Sequence, residues 1–108
     1  MNFLVTFNSP TQQQTIEVIN ASSWATCLAY CEGTGLDIVT IQLLPLVNIV
    51  QLSTETTDCY QGTIKVNGVA TQYFVWANSF DSFNTWFESL TTPVLQNIQF
   101  SNKLYVTV

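Results

Sequence analysis

The order of strand-like and helix-like segments runs through this chain twice, and that repetition limits the possible folds more than any other feature. Val5-Thr6-Phe7-Asn8-Ser9 resembles Ile64-Lys65-Val66-Asn67-Gly68. Each is an alternating strand that ends at a turn signal. A second strand follows in both places, where Thr15-Ile16-Glu17-Val18-Ile19-Asn20 aligns with Tyr73-Phe74-Val75-Trp76-Ala77-Asn78. Ser22 and Asp81 are the expected N-caps of the next element, because a side-chain oxygen there can accept from the free N–H groups of a first helical turn.

The helical periods agree as well. Trp24, Cys27, Leu28 and Cys31 recur at i, i+3, i+4 and i+7, as do Phe83, Trp86, Phe87 and Leu90. Each set forms an apolar stripe expected to face a sheet. Gly33 and Gly35 stop the first helix, and Thr91-Thr92-Pro93 the second. Val39, Ile41 and Leu43 then match Gln96, Ile98 and Phe100 in alternation, and Val47 and Ile49 match Leu104 and Val106. Pro45 marks one closing turn and Ser101-Asn102-Lys103 the other. The expected fold is α+β, with internally duplicated ββαββ units, two helices packed on antiparallel sheet and about eight strands. Residues 1–52 form the first repeat, 53–59 a linker without apolar residues apart from Cys59, and 60–108 the second repeat, the two making one compact unit.

At 108 residues the chain has room for one domain, since half that length alone is marginally stable. Asn, Gln, Ser and Thr supply 41 residues, whereas only 8% are charged, so the surface carries neutral hydrogen-bonding groups and little field to repel copies of itself. Met1 is followed by a strand-like run without a basic segment or a long apolar stretch, so no secretory signal is expected. The longest apolar window, residues 43–50, is too short for a membrane span and contains Pro45 and Asn48. A soluble, intracellularly made chain with no membrane partner is the expectation.

The repeat locates a candidate interface. Ile16 and Val18 are read as facing the helix, with Thr15 and Glu17 facing outward. At the matching positions Phe74 and Trp76 are inward, while Tyr73 and Val75 put apolar groups on the outer face. Leu44, Leu46, Val50 and Leu52 form a second outward set. Tyr73, Val75, Leu44 and Leu46 are therefore the candidate protein-interface residues, the alternative being that the outer faces pack on each other inside one domain. Lys65 and Lys103 are the only two lysines available to discourage edge-to-edge strand pairing.

The chemical alternatives are few. Without histidine, Ser-His-Asp, Cys-His and histidine-ligated zinc chemistry are excluded. Cys27 and Cys31 read as small core hydrophobes, with a thiol nucleophile or metal site as the competing reading. The carboxylates Glu17, Glu32, Asp37, Glu55, Asp58, Asp81 and Glu88 suit caps, exposed helix positions and linker better than a catalytic pair. Gly33-Thr34-Gly35 lacks the later glycine of a dinucleotide fingerprint and the lysine of a P-loop. Tyr73, Phe74 and Trp76 could stack bases, but two lysines and no arginine cannot neutralise a phosphate backbone. No enzyme activity, cofactor, metal, nucleic acid or small-molecule substrate is expected.

Taken whole, the small size, the repeat, the Asn/Gln/Thr-rich surface and the lack of catalytic groups resemble an accessory structural protein of a tailed bacteriophage, such as a capsid auxiliary or decoration protein. The resemblance is one of overall texture. It implies a virion location, a partner in capsid protein or copies of the chain itself, and binding without chemistry. The alternative is a small cytosolic protein-binding or inhibitor module acting on one host protein.

Overall fold

The structure is a computed structural model that describes all 108 residues. The strands are β1 (Asn2–Asn8), β2 (Gln14–Asn20), β3 (Asp37–Leu44), β4 (Val47–Gln51), β5 (Asp58–Val66), β6 (Val69–Trp76), β7 (Val94–Leu95), β8 (Gln99–Asn102) and β9 (Leu104–Thr107). Helix α1 (Trp24–Gly33) lies between β2 and β3, and α2 (Phe80–Glu88) between β6 and β7. The fold is α+β, with nine strands in two mixed sheets. Two compact units divide the chain: Met1–Pro45 with Lys103–Val108, and Leu46–Asn102.

In the first unit the strand order is β3-β1-β2-β9. β1 runs antiparallel to β2 and β3, whereas β9 is parallel to β2. Ser23 caps α1 in extended backbone, its hydroxyl accepting from the Thr26 N–H at 3.1 Å. At the far end Thr34 N–H returns to the Cys31 carbonyl, and Gly35 at φ +73° lets the chain turn back toward β3. Phe3, Val5 and Phe7 from β1, Ile19 from β2, Ala21, and Cys27 and Cys31 from α1 make the core. Glu17 shares that face because it pairs with Val5, and the Tyr30 hydroxyl donates to its carboxylate at 2.9 Å. That bond is what makes a buried carboxylate tolerable.

The Cys27 and Cys31 thiols are free and fully buried. Burial, followed by the neighbouring Cys27 and then Glu17, pushes the Cys31 thiol up to about 12. Burial, followed by the hydrogen bond and charge of Glu17, pushes the Tyr30 phenol up to about 12. In the unfolded chain these groups ionise nearer 9.0 and 10.0. The folded state therefore retains protons that the unfolded state releases, and stability should be full below pH 9 and fall as pH rises toward 12. Urea midpoints measured across that range check this. A midpoint that held constant, or that fell equally in a Cys31→Ala, Tyr30→Phe double variant, would show that these groups do not carry the effect.

In the second unit the order is β4-β6-β5-β7, with β8 also paired to β5. β5 and β6 form a two-residue hairpin closed by Asn67 and Gly68, both at positive φ, as the right-handed strand twist requires. β4 runs parallel to β6. Tyr60, Ile64, Val75, Ala77 and Phe83 make the core, flanked by Tyr73, Trp86, Phe87, Leu90 and Ile98. β7 and β8 are two stretches of one antiparallel run along β5. Ile64 opposes Leu95 and Gln61 opposes Gln99, so three residues of the run span two of β5, and a bulge at Gln96-Asn97-Ile98 separates the stretches.

Several expectations are corrected. The sheets are not purely antiparallel, and the units are not residues 1–52 and 60–108. The last strand of each sequence half pairs, in parallel, with the second strand of the other half, so neither half is a closed ββαββ unit. The strand faces are also reversed. Glu17 and Ile19, not Ile16 and Val18, face α1; Tyr73 and Val75, not Phe74 and Trp76, face α2. Val50, paired with Val75, lies on the helix side too. Alternation could not show this, because Val18, Ile19, Phe74, Val75 and Trp76 are all buried and both faces of β2 and β6 carry apolar groups. The N-caps are Ser23 and Ser79, one residue after and two before the expected positions. Neither helix is long and apolar enough to cross a membrane.

Candidate functional site

Of the four residues picked out as an interface, two pack into the core of the second unit itself. Val75 is fully buried in the core of the second unit. Tyr73 packs edge-on against Trp86 of α2, with ring centroids 5.6 Å apart. Leu44, half-buried, ends β3, and Leu46 stands 84% exposed in the turn before β4. Tyr73 and Val75 are core residues because their strand presents them to the helix, so the outer-face argument does not apply to them.

A different set of aromatic groups reaches solvent. Ser79 caps α2, its hydroxyl accepting from Ser82 N–H at 3.2 Å. The cap places Phe80 at the first helical position, beside the sheet but not under the helix. Across the sheet Tyr60 of β5 opposes Phe100 of β8. The rings converge: Tyr60 lies 6.1 Å from Phe80, 5.3 Å from Phe100 and 5.4 Å from Phe83. Tyr60 and Phe83 are buried, whereas Phe80 is 53% and Phe100 55% exposed. Two large apolar side chains thus stand in water on a rigid aromatic base.

The strand that carries Phe100 is electrically quiet. β8 reads Gln-Phe-Ser-Asn and carries no charge. Neither lysine guards a sheet edge: Lys65 lies in β5 between β6 and β7, and Lys103 is buried. The outer side of β8 therefore has no charged side chain to deter an added strand. No three His, Cys, Asp or Glu side chains gather where they could hold a metal ion.

The first unit has a parallel feature. Trp24 occupies the same first helical position in α1 and packs edge-on over Phe3 at 4.8 Å. It is 48% exposed and Leu28, one turn on, is 43% exposed. Of the stripe expected to face the sheet, only Cys27 and Cys31 are buried. The signal for both exposed aromatics is in the sequence, as Ser-Trp at residues 23–24 and Ser-Phe at residues 79–80. Placing the caps one and two residues away hid it. The chain matches no protein-family model, no curated protein and no solved structure.

Proposed function

We propose that this protein is a non-enzymatic assembly protein of a virion, an auxiliary protein that binds capsid protein or copies of itself through the aromatic cluster of its second unit. The observation that carries the reading is the pair Phe80 and Phe100, each more than half exposed over buried Tyr60. Aromatic side chains, Phe among them, are enriched at protein interfaces relative to the rest of the surface. Leaving them in water forgoes about 25 cal/mol for each Å² that association would cover. β8 beside them carries no charged side chain that would oppose strand addition.

The double variant Phe80→Ser, Phe100→Thr is expected to keep its fold, each change costing about 1 kcal/mol of aromatic contact with Tyr60. Its incorporation into purified particles, counted by mass spectrometry, should fall by at least about tenfold for a loss near 1.4 kcal/mol. With few charges present, the contact should change little between low and moderate salt. Incorporation unchanged in the folded variant would remove the cluster from the interface. Absence of the wild-type protein from particles would reject the virion role itself.

A further inference from the structure

The second unit also carries a shallow, open groove of about 580 Å³ along α2. Its apolar lining is the partly buried Trp86 with the exposed Leu52, and the other lining residues are polar. Ser82, Thr85 and Ser89 share one helix face at i, i+3 and i+7, and Asn78 and Asp81 stand at the capped end.

The hydrogen-bond inventory of that polar lining is unequal. Thr85 Oγ1 already donates to the Asp81 carbonyl at 2.9 Å, and Ser89 Oγ to the Trp86 carbonyl at 2.5 Å, so toward the groove both hydroxyls can only accept. The Asp81 carboxylate accepts only. Ser82 Oγ receives a bond from Ser79 Oγ at 3.2 Å, which leaves its own proton to donate, and the Asn78 amide can both donate and accept. Acceptors outnumber donors. A fitting ligand must bring several O–H or N–H groups and an apolar face for the indole. It cannot be an anion, because Asp81 is the one charged residue of the lining and neither lysine belongs to it.

We infer that this groove binds a neutral oligosaccharide, whose hydroxyls donate to Asp81, Thr85 and Ser89 while a ring C–H face lies on Trp86. This site is separate from the aromatic cluster and does not rest on the assembly role. Composition alone pointed to no small-molecule ligand, because the donor imbalance exists only once α2 has folded and committed two hydroxyls to its own backbone.

The test is saturation-transfer NMR on the full chain with maltotriose, cellotriose and triacetylchitotriose. Transfer to the ring C–H protons of at least one is expected, with affinity about millimolar, about 4 kcal/mol. Asn78→Ala and Asp81→Asn alter exposed side chains and should leave the melting temperature nearly unchanged. Each should weaken binding about tenfold, Asn78→Ala by removing one hydrogen bond and Asp81→Asn by exchanging a charge-assisted acceptor for a neutral amide. No transfer from any of the three sugars, or equal transfer in wild type and both variants, overturns the assignment. So does tighter binding of spermidine than of every trisaccharide, which would make the groove a site for organic cations.

Discussion

Gly62→Ala is expected to lower stability by about 3 kcal/mol, at the upper end of what overpacking costs. The residue lies mid-strand in β5, directly beneath the bulge that separates β7 from β8. A methyl group there would overlap the Asn97 carbonyl oxygen, with the Asn97 carbonyl carbon at 2.8 Å and the Ile98 Cα at 3.0 Å. All three are backbone atoms, so no rotamer change relieves the contact. The bulge is pinned from both sides: Thr63 N–H donates to the Asn97 side-chain oxygen at 3.2 Å, and Gln96 N–H donates to the Thr63 carbonyl at 3.0 Å. The run must therefore lift off β5, taking Ile98 out of the core and Phe100 away from Tyr60. A drop of about 15 °C in melting temperature follows from that loss. Gly33→Ala is the control, since nothing lies within 4 Å of its added methyl; it should change stability by less than about 1 kcal/mol. Equal effects of the two changes would show that the close approach at Gly62 is not a constraint.

Gly62 also shows where a sequence pattern loses information. Tyr60, Ile64 and Val66 alternate legibly, but nothing in Gln-Gly-Thr signals that another stretch of backbone crosses above the glycine. The α+β class and the position of each helix could be read, because a 3.6-residue period bounded by Ser and Gly or Pro is a local signal. Phe83, Trp86, Phe87 and Leu90 do face the core of their unit. Strand faces could not be read. Parity needs one wet side, and β2 and β6 are interior strands whose C-terminal ends are buried on both. Glu17 misled most directly: a carboxylate in a strand reads as exposed, and only the Tyr30 hydroxyl, thirteen residues on, satisfies it inside.

The exposed aromatics escaped notice for a related reason. Trp24 opens the apolar stripe of its helix and Phe80 extends the other by one turn toward the N-terminus, and on a helical wheel both look like core. What exposes them is the cap: the first helical residue lies where the chain enters the helix, at the margin of the sheet beneath. The partner of each terminal strand was equally hidden. A four-residue strand such as β9 has no feature that distinguishes pairing within its own half from pairing with the other half.

Ending the chain after Asn102 tests that exchange and should unfold one unit selectively. β9 supplies the outer neighbour of β2, placing Leu104, Tyr105, Val106 and Thr107 opposite Glu17, Val18, Ile19 and Asn20, and Val108 N–H adds a bond to the Asn20 carbonyl at 2.9 Å. Its removal strips a buried ladder from β2, exposes part of Val18 and Ile19, and deletes the buried Lys103. At roughly 1.5–3 kcal/mol for each apolar side chain returned to water, the loss is about 3 kcal/mol or more, a large share of what a unit of this size can hold. The second unit, Leu46–Asn102, keeps every strand. Amide hydrogen exchange should then show protection lost across β1 and β2 while β5 and β6 remain slow. A synthetic peptide of residues 103–108 added in excess should restore part of the lost protection, because its partner edge on β2 is vacant. Protection lost equally in β5 and β6 would mean that the two units unfold as one. Protection kept in β2 would mean that β9 contributes pairing but little stability.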